Sequence, residues 1–241
     1  MKILSRIRDY TEHCIDILAM AVFLLLLLVG IYAIIDIHNV NMGALTDEEM
    51  AKLAPEEDID IEALRKINPE IVGWIRIRDT KIDYPVLQAE DNNKYLVRNY
   101  RGDYETAGAI FVDYRNDKFN DDFTIIYGHR MSGNLMFGEI PRFEKRTYFN
   151  EHPSGVLYTE DAIYDLEISD YSVMDINETT IFAHDLNRNN HNDKVIEDIR
   201  GSAEQSRKVN IEKGDKILVL STCDKDSKHY RDVLLTKMVK R

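Results

Sequence analysis

Apolar positions along this chain fall into three textures. From Ile17 to Ile35 the sequence reads ILAMAVFLLLLLVGIYAII, without a charge, and at about 1.5 Å per residue such a run spans a bilayer core of roughly 30 Å. A polar, acidic stretch follows with helical spacing. Thr46 and Glu49 have the form of a capping box, and Pro55 stops that helix. A second helix is predicted from about Asp58 to Ile67, with Ile61, Leu64 and Ile67 on one face and Asn68-Pro69 at its end. From Ile71 the period shortens to that of strands and turns. Strands are expected at Ile71–Ile77, Ile82–Leu87, Ala107–Tyr114 and Phe123–Tyr127, and Pro85 marks its strand as an edge or a bulge. Arg130 to Phe143 reads as mixed, with a short helix around Leu135-Met136-Phe137. Gly155–Thr159 and Ala162–Met174 form a hairpin turning at Glu160-Asp161. Val195, Ile196, Ile199 and Ala203 stripe an amphipathic helix over Asp193–Arg207, and the strands Lys216–Cys223 and Arg231–Leu235 follow. Regularly spaced short strands of this kind predict a mainly β domain with added helices, closed or nearly closed as a barrel. The division that follows is 1–36 for a tail and anchor, 37–70 for a helical stalk, and 71–241 for the β-barrel domain.

Charge decides how the apolar run is read. A cleaved signal peptide would have a shorter apolar region followed by a small-x-small site, and Tyr32-Ala33-Ile34-Ile35-Asp36 offers none, so a retained single-pass anchor is expected. Lys2, Arg6 and Arg8 precede the run, and between Asp36 and Asp60 Lys52 is the only Lys or Arg. The positive-inside rule then leaves the N-terminus cytoplasmic and the larger part of the chain extracellular. Asp9, Glu12 and Asp16 cancel the three cations, so the net charge of −12 belongs to the exterior part. An acidic surface argues against nucleic acid and against docking on anionic lipid.

That topology also separates the two cysteines, Cys14 and Cys223. Cys223 becomes a lone thiol in an exported domain, where cysteines are usually paired. It ends the apolar run Lys216-Ile217-Leu218-Val219-Leu220-Ser221-Thr222, and Arg231 opens the next strand after a polar loop. In a hairpin the two would be cross-strand neighbours, and a fixed cation favours the thiolate. A buried, inert cysteine remains the alternative from these residues alone. A nucleophilic cysteine needs a positioned histidine. His13 lies on the other side of the membrane, His38 in the stalk, and His152 and His191 in polar loop sequence. His129, His184 and His229 remain. His129 ends the apolar strand Thr124-Ile125-Ile126-Tyr127-Gly128, which parallels how Cys223 is delivered. Asp113, Asp117, Asp121 and Asp122 lack the turn glycine and terminal glutamate of a calcium loop and read as a solvated face. No Cys/His spacing suggests zinc, and neither metal nor cofactor is expected.

Taken together, Leu220-Ser221-Thr222-Cys223 with Arg231, Tyr127-Gly128-His129, Asn68-Pro69 with Gly73-Trp74-Ile75, and Ile82-Asp83-Tyr84-Pro85-Val86 resemble the sortases. The helix ahead of the cysteine strand and the helical segment ahead of the barrel resemble class B. The resemblance covers roughly Ile61 to Arg241; Val219 stands where the family often has threonine. It implies a sortase-type closed barrel and a membrane-anchored cysteine transpeptidase at the cell wall of a Gram-positive bacterium. Cys223 would attack the carbonyl after the threonine of a sorting motif on a secreted protein, forming a thioester. His129 would move the amine protons, Arg231 would hold the substrate and steady the oxyanion, and a peptidoglycan cross-bridge amine would accept the product. Ser221, Thr222, Leu96 and Asn92 match positions lining the sorting-signal groove. Alternatives are pilin polymerisation with a lysine amine, a cysteine peptidase with water as acceptor, and a non-catalytic membrane-tethered binding domain.

Overall fold

The structure is a computed structural model, and it describes residues 2–43, 59–177, 181–182, 191–223 and 229–241. The side chains of 2–11, 38–43, 191–192 and 223 lie outside that description. The helix expected between Thr46 and Pro55 falls outside the described residues, as does His184.

The chain divides into two units, Met1–Met42 and Gly43–Arg241. The first is a continuous helix, α1 (Lys2–Gly43). Its segment Glu12–Ile37 is 26 residues long and apolar enough to cross a membrane. At 1.5 Å per residue it measures about 39 Å, which exceeds a hydrocarbon core of roughly 30 Å.

The second unit begins, among described residues, with α2 (Ile61–Ile67). Asp60 caps it by accepting the Ala63 N–H at 2.8 Å. Asn68 at its other end is extended (φ −145°, ψ 115°), as the residue before a proline must be. Ile61 and Leu64 turn onto β1 (Ile71–Ile77) and bury themselves with Ile71, Trp74 and Tyr158. Further along come β2 (Asp83–Leu87), a 3₁₀ turn (Lys94–Leu96), β3 (Ile110–Val112), β4 (Phe123–His129), α3 (Arg146–Glu151), β5 (Ser154–Thr159) and β6 (Ile163–Asp175). The last elements are α4 (His191–Gly201), β7 (Ala203–Ser206), β8 (Lys216–Cys223) and β9 (Tyr230–Lys240).

Eight strands pair in the ring β5-β1-β2-β3-β4-β8-β9-β6, and β6 pairs again with β5, so the barrel closes; β7 adds to β6 outside the ring. All pairings are antiparallel except β2 with β3 and β4 with β8. Closure removes the edges that an open sheet would expose. Pro85 sits in this ring rather than on a true edge. The ladder to β3 uses only Val86 and Leu87, and the ladder to β1 shifts register between Ile71 and Gly73, so the proline meets its donor constraint locally.

Side chains alternate across the wall with period two. Phe123, Ile125, Ile217, Val219, Val233 and Leu235 form the outer cluster, with Val195 and Ile199 of α4 on top. Their neighbours Thr124, Ile126, Leu218, Leu220, Leu234 and Thr236 are equally buried and face the interior. Burial on both faces explains why β4 and β8 read as unbroken apolar runs.

Some expected boundaries move. The helix expected to reach Arg207 ends at Gly201, and Ala203–Ser206 pairs with β6 instead. Ala203 keeps the four-residue spacing from Ile199, but the outer side of β6 offers ladder hydrogen bonds that a further helical turn could not match. β3 is shorter than Ala107–Tyr114, and two 3₁₀ turns, Ser132–Asn134 and Ile140–Glu144, flank the place where a short helix was expected at Leu135–Phe137. His152, expected in a polar loop, is buried at the end of α3 and stacks on Tyr148 at 3.9 Å.

The seven-residue α2 docks mainly through Leu64, which is fully buried. Leu64→Ala is expected to cost about 2–5 kcal/mol, read as a lower midpoint in urea unfolding of the detergent-solubilised full chain. A loss below about 0.5 kcal/mol, the usual limit for a surface change, would mean that α2 does not hold the barrel.

Candidate active site

The parallel ladder between β4 and β8 runs in step from Phe123↔Ile217 to Tyr127↔Ser221, Gly128↔Thr222 and His129↔Cys223. Neighbouring strands lie about 4.8 Å apart, so the histidine and cysteine positions end adjacent strands side by side. Gly128 makes the last step possible. A Cβ there would collide with Ile110 and stand 2.8 Å from the Phe137 ring.

His129 is half-buried, and its Nε2 lies 2.7 Å from the Leu96 carbonyl oxygen. A carbonyl only accepts, so Nε2 carries the hydrogen and Nδ1 is left for proton exchange. The loop carrying that carbonyl is itself anchored. Asn68 donates to the Tyr95 hydroxyl at 3.0 Å and to the Tyr100 carbonyl at 2.8 Å, and the Tyr95 hydroxyl donates to Glu70. Gly108, at φ +65°, closes the cradle. A Cβ at that position would be 2.5 Å from the Tyr95 oxygen, 3.0 Å from the Leu96 oxygen and 3.1 Å from the His129 ring.

The antiparallel ladder of β8 and β9 keeps register through Ser221↔Val233. Two residues on, the same register sets position 223 opposite position 231. Arg231 is half-buried, lies across from Met174 of β6, and donates from Nη1 to the Tyr230 carbonyl at 2.8 Å. In this state its guanidinium is turned onto its own backbone. Ser221 is fully buried, and its hydroxyl has no hydrogen-bond partner among the described residues. Thr222 alternates to the barrel interior, beside Gly128. Leu96 is half-buried at the end of the 3₁₀ turn, and Asn92 lies just before that turn. The positions expected from sequence thus gather at one end of the barrel, with Thr222 facing away from the others. His229, two residues before Arg231, is exposed, with its Nδ1 3.2 Å from Asn177 Nδ2.

One carboxylate at this end escaped the sequence reading. Asp113, expected on a solvated face, is fully buried just past β3. Its Oδ1 accepts from Arg115 N at 3.0 Å and Nε at 2.8 Å. Its Oδ2 accepts from Arg115 Nη2 at 2.7 Å, the Tyr127 hydroxyl at 2.9 Å and Asn92 Nδ2 at 3.2 Å. Burial pushes the Asp113 carboxyl up, but the hydrogen bonds from Arg115 and Tyr127 outweigh it and hold the group below the usual carboxylate range. Burial and the Asp113 charge push the Tyr127 phenol well above its ordinary value, so it remains a donor. The available signal was an aspartate directly after an apolar strand with arginine two residues on.

Nothing in this arrangement requires a metal: a thiol, a histidine with one nitrogen committed to a carbonyl, and an arginine suit covalent acyl transfer through the cysteine. A family model described as Sortase domain matches residues 75–239. Sortase B of Listeria monocytogenes is 33% identical over 186 residues, covering 75% of this chain and 74% of that protein. The crystal structure of sortase B from Bacillus anthracis matches with a TM-score of 0.70 at 33% identity, covering 80% of this chain and 94% of that one. A Streptococcus pyogenes class B sortase involved in pilus biogenesis matches with a TM-score of 0.67 at 29% identity, covering 75% of this chain and 98% of that one. A β-barrel that ends its parallel strand pair on histidine and cysteine, and whose matched relatives are class B sortases, belongs to the sortase family of cysteine transpeptidases.

Proposed function

We propose that this protein joins secreted proteins to the cell wall from the outer face of the membrane. The observation that carries the reading is the pairing of His129 with Cys223 at the ends of β4 and β8. The Cys223 thiolate attacks the carbonyl carbon that follows threonine in a sorting motif, and the tetrahedral intermediate collapses to a thioester. Nδ1 of His129 takes the proton that the Cys223 thiol gives up, passes it to the departing amine as the amide bond breaks, and later takes one from the incoming amine as the thiolate leaves, while Nε2 stays on the Leu96 carbonyl. Arg231 leaves the Tyr230 carbonyl and turns toward the developing oxyanion, where its planar fork offers fixed donors. Ser221, Leu96 and Asn92 wall the sorting-signal groove, and Thr222 contributes through its strand. The acceptor is a peptidoglycan cross-bridge amine.

The apolar α1 and its charge asymmetry support a single-pass anchor with a cytoplasmic N-terminus and an extracellular catalytic barrel. The division 1–36, 37–70 and 71–241 then corresponds to tail and anchor, stalk, and catalytic domain. A lysine amine of a pilin is the second reading for the acceptor, favoured by the likeness to a class B sortase involved in pilus biogenesis.

Incubating the full-length protein with a pool of sorting-motif peptides and an amine nucleophile is expected to yield ligated product, and Cys223→Ala is expected to yield none. Cleavage without amine transfer would mark a peptidase. In the same assay Arg231→Lys should lose roughly a hundredfold or more in kcat, the usual cost of removing an oxyanion donor; a near-normal rate would make Arg231 structural. Gly108→Ala should lower kcat on the order of tenfold to a hundredfold through displacement of the His129 ring, while the unfolding midpoint shifts modestly. Unaltered turnover would show that the cradle does not set the histidine.

A further inference from the structure

Asp113 does more than a packing residue in its place would. A carboxylate removed from water carries a desolvation cost that an apolar side chain of similar size avoids. Here that cost is offset by five donors, and they come from separate stretches of chain. Tyr127 belongs to β4 and is the Cα partner of Ser221, two pairings short of His129 and Cys223 and on the same face of the wall. Asn92 belongs to the loop entering the 3₁₀ turn whose Leu96 carbonyl receives His129, and its own Oδ1 accepts the Tyr114 N–H at 2.9 Å. Arg115 grips Asp113 with Nε and Nη2, which leaves Nη1 to reach the Phe182 carbonyl at 3.4 Å. The Phe182 ring in turn lies 6.3 Å from that of Tyr127.

Apart from Tyr127, the segments gathered here share a structural circumstance. Residues 92, 115 and 181–182 all lie outside strands and helices, where no ladder fixes them. Asn92 and Arg115 meet the Asp113 carboxylate directly and Phe182 is linked to it through Arg115, while the Tyr127 hydroxyl donates to the same carboxylate from β4.

We propose that Asp113 and Arg115 are positioning residues of the sorting-signal groove, setting the Asn92 wall and the 181–182 wall at fixed distances from Tyr127 and Ser221. This rests on the transpeptidase reading given above. The clamp acts on the peptide that donates the acyl group rather than on the acceptor amine, because Asp113 and Arg115 hold Asn92 and the Phe182 carbonyl, whereas the turn whose Leu96 carbonyl sets His129 is anchored through Asn68, Tyr95 and Gly108. Lysine at 115 would not reproduce it: an ammonium cannot hold both oxygens of Asp113 and still reach the Phe182 carbonyl.

The test compares the full-length wild type with Arg115→Lys, Asp113→Asn and Tyr127→Phe, the last removing a single hydroxyl and so the smallest change of the three. The KM for the sorting peptide should rise roughly tenfold or more in the first two, as expected for loss of charge-assisted hydrogen bonds, and less in Tyr127→Phe. The KM for the amine and the rate at which a small alkylating reagent modifies the thiol should stay within about twofold of wild type by the same reasoning. Hydrogen exchange, which needs no substrate, should speed up at 92–93 and at 181–182 in Arg115→Lys and Asp113→Asn. Equal rises in both KM values, or unchanged exchange at 181–182, would overturn the clamp. A wild type that ligates no peptide would overturn the transpeptidase reading instead, and the exchange rates would still decide for or against the clamp.

Discussion

Seven consecutive pairings join β4 to β8 in parallel, and the site exists because that ladder keeps step to its last pair, His129 with Cys223. Parallel strands cannot be joined by a tight turn. The connection from residue 130 to 215 therefore carries α3, β5, β6, α4 and β7, and it returns the chain to the far side of the barrel before β8 begins. A slip of one residue would send every side chain of β8 to the opposite face. The slip is prevented by packing: Ile217 and Val219 fit the cluster under α4, while Leu218 and Leu220 fill the interior. Hydrophobic register and chemical register are thus one constraint.

Around that pair, loops are held by polar contacts rather than by ladders. Asn68 and Gly108 hold the 3₁₀ turn whose Leu96 carbonyl fixes the His129 tautomer. Asp113 gathers Asn92, Arg115 and Tyr127. On the interior side of β9, the buried Asp232 accepts from the Tyr171 hydroxyl at 2.6 Å and lies 3.7 Å from Arg130, so the residues following His129 and Arg231 are tied to each other. Buried polar networks of this kind specify one arrangement of loops only when every member is satisfied. Ser221, fully buried two pairings before the cysteine position, is the exception, its hydroxyl having no partner among the described residues.

The order of elements was legible because most strands of this barrel are apolar on both faces and are separated by turn residues. The helix Asp193–Arg207 was overextended, since Ala203 continues the spacing of Val195 and Ile199 while it belongs to β7. Asp113 was misplaced for a related reason. Its neighbours Asp117 and Asp122 are exposed, and composition alone does not separate one buried carboxylate from an acidic loop.

By itself the sequence determined the apolar helix, the succession along the chain of the eight strands that form the ring, the ends of β4 and β8 on histidine and cysteine, and the family that their motifs resemble. Those are properties of local pattern: period, charge asymmetry and residue type at a strand terminus. Only the tertiary structure decided that the sheet closes through β5 and β6, that Nε2 of His129 is committed to Leu96, and that Asp113 reaches three segments at once. Each of those depends on contacts between residues distant in the chain, and such contacts leave no periodic trace in the sequence that makes them.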